Sequence, residues 1–171
     1  MLLAGRLNEL MSPMATSIGT ALAWAGRLDN ARPTLVIARQ RAEADGATVN
    51  DVLAWTYVAL AEAEVGTRDA AHAAADRALD SARRRGLSEY HRLALAHAVR
   101  AASTSDPGEA AGDVDRALTL ARLPLGALDA GYVHAVAADV RLTAGTPEGA
   151  HLLQRAQEIT DRCHDPGVLG S

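Results

Sequence analysis

Val65-Gly66-Thr67-Arg68-Asp69-Ala70-Ala71 reads as the end of one helix and the start of the next, and the same join recurs three times. The other copies are Ala25-Gly26-Arg27-Leu28-Asp29-Asn30-Ala31, Thr104-Ser105-Asp106-Pro107-Gly108-Glu109-Ala110 and Ala144-Gly145-Thr146-Pro147-Glu148-Gly149-Ala150. Each sets a turn residue (Gly26, Gly66, Ser105, Gly145) five positions before an alanine (Ala31, Ala71, Ala110, Ala150), and those alanines lie 40, 39 and 40 residues apart. Seven residues further on stands a second alanine, Ala38, Ala78 or Ala117; in the fourth copy it slips by one, to Ala156. Self-similarity at a fixed period is the signature of stacked helical repeats.

The chemistry of the join explains the pattern. A glycine just past a helix end supplies the left-handed C-cap. Asp29, Asn30, Asp69, Asp106 and the Thr146-Pro147 pair offer N-cap or first-turn groups to the helix that follows. Two alanines seven apart share one helical face, where small side chains let a partner helix approach. Short connections make each pair antiparallel. The spacing predicts helices at about 2–11, 13–25, 30–45, 50–65, 69–85, 88–103, 109–122, 127–144 and 147–163. The expected organisation is one all-α domain over residues 1–171, a tetratricopeptide-like α-solenoid of about four antiparallel helix pairs with a period near 40. Residues 1–11 would be a leftover or capping helix, residues 12–46, 49–86, 88–123 and 126–164 the pairs, and residues 165–171 a flexible tail.

Composition agrees with this class and removes others. Apolar residues make up 49%, much of it alanine, with no phenylalanine, which suits close helix packing and not a β-rich core. The net charge is −4 and all 17 basic residues are arginine. Without lysine, a phosphate-binding P-loop in its usual form and Schiff-base chemistry are both excluded. The lone Cys163 excludes an internal disulfide and a cysteine-based zinc site. No apolar run approaches a membrane span, and Arg6, Asn8 and Glu9 interrupt anything resembling a signal peptide, so the expectation is a cytoplasmic protein without membrane contact.

Trp55-Thr56-Tyr57-Val58-Ala59, followed by Gly66, Ala71 and Ala78-Leu79, resembles a tetratricopeptide repeat: a large aromatic, a medium apolar and a small residue, the turn glycine, then two small residues seven apart. Ala15, Ala94 and His134 stand where Trp55 stands in the other copies, and the period exceeds the usual 34 of that family. Longer, degenerate repeats of this kind resemble the sensor region of the large LuxR-type bacterial transcriptional regulators related to the maltose regulator. The stretch Leu152 to Ile159, with Asp161-Arg162-Cys163-His164-Asp165-Pro166-Gly167-Val168-Leu169, is similar to the segment that often ends those repeats in actinobacterial members, His164 replacing a proline. The resemblance implies a protein- or small-ligand-binding scaffold with a sensing role in transcription regulation. It also implies that ATPase and DNA-binding modules lie outside this chain.

Residue by residue, no catalytic constellation is expected. His91 and His97 are six apart, and His72, His134 and His151 stand alone, which is not metal-ligand spacing on a helix. Cys163, His164 and Asp165 are consecutive and would diverge on a helix. Glu62, Glu64 and Glu89 read as solvated acids, and Arg83-Arg84-Arg85 as cations complementing a helix C-terminus. Arginines mixed with acids on an acidic chain give no stripe for nucleic acid. No enzyme activity, cofactor or metal is therefore expected; the partners would be a protein, a peptide or a small inducer, with a homodimer allowed. In tetratricopeptide stacks the first helix of each pair lines the concave face. Carrying that over places Thr20, Trp24, Thr56, Leu60, Glu64, Arg92, Leu95, Val99, Tyr132 and Asp139 in the groove, with Trp24 as an anchor beside Tyr132 or Arg92. Trp55 is expected to be buried between the two helices of its hairpin, across from Ala71 and Ala78. The alternative from another class is a small all-α enzyme or ligand carrier with an enclosed cavity.

Overall fold

The computed structural model describes residues 2–164, with side chains from residue 12 to residue 163. Eight helices and no strand are present among the described residues. They are α1 (Leu2–Trp24), α2 (Leu28–Ala44), α3 (Thr48–Val65), α4 (Arg68–Arg84), α5 (Leu93–Ser103), α6 (Pro107–Leu120), α7 (Ala127–Thr143) and α8 (Glu148–His164). Each odd-numbered helix packs on the even-numbered one after it, giving four helical hairpins and an all-α helical-repeat fold. The expected tail and the His164–Leu169 part of the regulator-like segment lie outside the described side chains.

The chain forms two compact units, Met1–Ser88 and Glu89–Ser171, each with two hairpins. In the first, α3 packs against α1, α2 and α4, so it is buried around most of its circumference from Asp51 to Glu62. In the second, α7 holds the same place against α5, α6 and α8. The turns explain why the hairpins close tightly. Gly66, just past α3, has φ 86, and the N–H of Thr67 returns five residues to the carbonyl of Glu62 at 2.9 Å. That is the bonding of a Schellman cap, which needs a residue free of a Cβ penalty at the left-handed position. The same return bond runs from Arg27 to Leu22, Ala47 to Ala42, Leu87 to Ala82 and Thr146 to Arg141.

The repeated alanines are core residues. Ala31 and Ala38, Ala71 and Ala78, and Ala110 and Ala117 are all buried. In the fourth hairpin both small positions shift by one: Gly149 and Ala156 are buried, while Ala150 is exposed. The first turn of α8 accounts for it. Asn30 and Gly149, which hold the same place in the repeat, both reach back three residues, to Arg27 at 3.1 Å and Thr146 at 3.3 Å. Among the described residues, however, the four-residue bonds that Ala31, Ala71 and Ala110 then make have no counterpart from Ala150 to Thr146. That tighter winding brings the buried face round one residue early. A Cβ on Gly149 would stand 2.6 Å from Leu142 Cγ and 2.8 Å from its backbone N, so α7 and α8 approach closely there.

Two helix boundaries differ from expectation. α1 runs through Pro13 as one helix of 23 residues, where a break near residue 12 was expected. Proline already has a helix-compatible φ, and a single lost N–H bond need not end a helix that packs against α2 and α3. α5 starts at Leu93 and not at residue 88. Tyr90 and His91 pack edge to face at 5.0 Å, a contact that neighbouring helical side chains cannot make because they diverge.

Candidate binding cleft

The first unit carries a surface cleft of about 310 Å³ between α2, α3 and α4. Its floor follows from helix register. Asp51 and Trp55 stand one turn apart on α3, and Arg77, Ser81 and Arg85 follow at four-residue steps along α4 and its C-cap, so both rows face the same space. Asp51 is buried; its Oδ2 accepts from Ser81 Oγ at 2.8 Å and from the Arg85 guanidinium at 2.6 Å. Arg85 also donates to Ser81 Oγ at 2.9 Å. The anion sits in the first turn of α3 and the cation at the end of α4, so each complements the macrodipole of its own helix while tying the hairpin shut.

Trp55 forms the wall. It is half-buried, not sealed in its hairpin as expected, and the fully buried aromatic of α3 is Tyr57. The guanidinium of Arg39 lies 5.0 Å from the indole centroid and that of Arg77 lies 4.9 Å from it. The indole therefore bridges α2 and α4 by cation–π contact, in keeping with its amphipathic character. Arg39 also pairs with Glu43 at 3.0 Å, and Asp80 on the rim pairs with Arg83 at 2.8 Å. Four arginines (Arg39, Arg77, Arg84, Arg85) face three acids (Glu43, Asp51, Asp80), and each acid already has a guanidinium against it. What is left is an aromatic wall beside cations, a surface suited to oxyanions. The stripe of Asp51 with Trp55, and of Arg77 with Ser81 and Arg85, was readable as spacing. Arg39 was not, because it arrives from a different hairpin.

A second ionic cluster lies in the other unit. Asp113 of α6, 2% exposed, accepts from Arg100 Nε at 2.6 Å and from its terminal nitrogen at 2.7 Å, and lies 2.7 Å from His97 Nδ1. Burial pushes the Asp113 carboxyl up, but the hydrogen bonds and charges of His97 and Arg100 outweigh it and hold its pKa below the usual carboxylate value. With both oxygens engaged, Asp113 acts as a clasp between α5 and α6. Among the described residues no group of three His, Cys, Asp or Glu is placed to hold a metal ion, and no helix is long and apolar enough to cross a membrane.

The groove positions read from the sequence divide sharply by burial. In the first unit Thr20 and Trp24 are half-buried and Glu64 is exposed, but Thr56 and Leu60 are sealed in the core, the Thr56 hydroxyl donating to the Val52 carbonyl. In the second unit Tyr132 is half-buried and Asp139 exposed, while Leu95 and Val99 are core. Arg92 stands just before α5, half-buried, 3.8 Å from Asp129. Four of the ten positions thus support packing and offer no surface.

No protein-family model and no curated protein matches the chain. Among solved structures it is similar to the crystal structure of BtubC (BKLC) from P. vanneervenii, with a TM-score of 0.64 and 17% identity. The likeness covers 91% of this chain and 65% of the BtubC chain. At that identity the two share a fold of packed helices.

Proposed function

We propose that this chain is a recognition module, a helical-repeat scaffold that binds a protein, a peptide or a small inducer through oxyanion groups. The Trp55 cleft carries this reading: an accessible indole beside Arg39 and Arg77, with Arg84 on the rim and no acid left unpaired. Guanidinium groups present forked donors matched to carboxylates and phosphates, and an aromatic wall adds apolar contact. The exposed rim favours surface recognition over a ligand sealed among helices. The biological setting we propose for such binding is the sensor part of a bacterial transcriptional regulator. The tetratricopeptide-like pattern around Trp55 and the C-terminal likeness to LuxR-type regulators support that setting.

Tryptophan emission tests it directly, because Trp24 and Trp55 are the two reporters and Trp24→Phe leaves the one in the cleft. Titration of the Trp24→Phe protein with a short polyglutamate peptide, and separately with inorganic phosphate, should change Trp55 emission saturably. Combining Arg77→Ala with Arg84→Ala should weaken the response by about tenfold or more, the scale of a lost charge-assisted contact. An emission that ignores both probes, or a response that survives the double variant, would overturn the assignment.

A further inference from the structure

The cations of the Trp55 cleft are of two kinds. Arg39 is held by Glu43 at 3.0 Å and Arg85 by Asp51 at 2.6 Å, so each brings its own counter-ion. Asp80, the third acid on the cleft, is turned to Arg83 at 2.8 Å. Arg77 and Arg84 have no carboxylate within ion-pair distance among the described residues. The run Arg83-Arg84-Arg85, read from the sequence as one set of helix-end cations, therefore separates: its outer two arginines close ion pairs and the middle one is left over.

Contacts across the α3–α4 hairpin fix where the two uncompensated guanidiniums stand. Arg77 meets the Trp55 ring at 4.9 Å, Ser81 meets Asp51 at 2.8 Å, and Arg85 donates to the Thr48 carbonyl at 3.3 Å. Arg77 is therefore level with the indole, and Arg84, beside Arg85, is level with the start of α3. Seven residues put them on one face of α4 two turns apart, a rise of about 10 Å. The indole contact keeps the Arg77 guanidinium at its own end, away from Arg84. Between them lies the Asp51–Ser81–Arg85 network, in which an anion and a cation already cancel. The cleft is thus positive at both ends and neutral along the middle, with the indole as an apolar wall.

We propose, resting on the oxyanion reading of this cleft, that it takes a small linear molecule with an oxyanion at each end and an uncharged chain between. One end sits on Arg77 beside Trp55 and the other on Arg84. A volume of about 310 Å³ suits a small ligand. Charge placement selects its shape: a compact anion leaves one guanidinium unused, and a third charge midway would face the Asp51 carboxylate. Joining two oxyanions makes the second contact intramolecular, so the joined pair binds more tightly than either end alone.

Isothermal titration calorimetry of the full chain with suberate, octanoate and succinate tests this. Suberate carries a carboxylate at each end of a long chain, octanoate has the same chain with one, and succinate has two carboxylates close together. Suberate should bind at least about tenfold more tightly than either of the others. Arg77→Ala or Arg84→Ala alone should abolish that advantage; both residues are exposed, so neither change disturbs the fold. Suberate that binds no better than octanoate or succinate overturns the two-ended ligand while leaving the cleft an oxyanion site. An advantage that survives either substitution overturns it too. Silence with all three probes overturns the oxyanion reading itself, and the proposal falls with it.

Discussion

The two units solve the same packing problem with different joints. In Met1–Ser88 the three connections between helices and the exit from α4 each contain a glycine at positive φ, Gly26, Gly46, Gly66 and Gly86, spaced by 20 residues throughout. In Glu89–Ser171 only Gly145 does this among the described residues. The α5–α6 join there is made instead by Asp106, whose carboxylate accepts from the Glu109 N–H at 2.8 Å ahead of Pro107. The ionic ties differ in the same way. The first unit ties the end of a hairpin with the partly solvated Asp51–Arg85 pair. The second ties the middle of one with the sealed Asp113 clasp. Backbone geometry sets one unit's register, and buried charge adds to it in the other.

Breaking the clasp should have the largest effect. Asp113→Ala leaves Arg100 and His97 facing a vacated, largely buried site, and the expected loss of stability is about 3–4 kcal/mol by thermal or urea unfolding. The Asp51→Ala counterpart should cost less, about 1–2 kcal/mol, because Asp51 holds one guanidinium and a serine hydroxyl through a single oxygen, whereas Asp113 holds Arg100 and His97 through both. Equal losses would erase the distinction between the units. The pH dependence follows from the direction of the shift. A depressed folded-state pKa gives stability that is present above the unfolded aspartate value of about 4 and is lost as pH falls through the folded value. Asp113→Asn should therefore flatten the acid limb of the stability curve below about pH 4. A limb as steep as that of the parent chain would show that the clasp is not what acid breaks.

Next in size is the close approach of α7 and α8. Gly149→Ala places a methyl group against the Leu142 backbone and should destabilise by about 2–3 kcal/mol, whereas the exposed Ala150 should accept glutamine with little change. The reverse ranking in melting temperature would restore the unshifted register. The smallest effect belongs to the glycine joints. A Cβ on Gly66 would meet nothing within 4 Å, so Gly66→Ala should cost only the left-handed backbone penalty, about 1 kcal/mol. A larger loss would mean the joint carries packing as well as geometry.

These positions also mark how far the sequence could be read. The helix pairs were legible because a cap glycine and two buried alanines repeat at fixed distances, and local chemistry determines both. The slip at Gly149 was half visible, since Ala156 broke step, but the loss at Ala150 of the four-residue bond that Ala31, Ala71 and Ala110 make is a backbone event that no residue type announces. Trp55 was misplaced because its position on α3 matched a repeat pattern, while its environment is set by Arg39 and Arg77 from two other helices. Thr56, Leu60, Leu95 and Val99 were carried into a groove by family register, yet here those turns are enclosed. The link from His97 to Asp113 spans 16 residues and a helix boundary, beyond any local spacing rule.

The even spacing of the glycine joints has a consequence for how this chain tolerates cutting and splicing. Removing residues 27–66 would bring Gly26 directly before Thr67, and the junction would still read helix, left-handed glycine, helix start, with the Thr67 N–H able to return to Leu22 as Arg27 does now. Two successive helices, here α2 and α3, could thus be excised or duplicated without composing a new turn. In this half of the molecule length is quantised: a change of 40 residues keeps every joint and the direction of every helix, whereas a change of 20 keeps the joint but reverses the helices that follow.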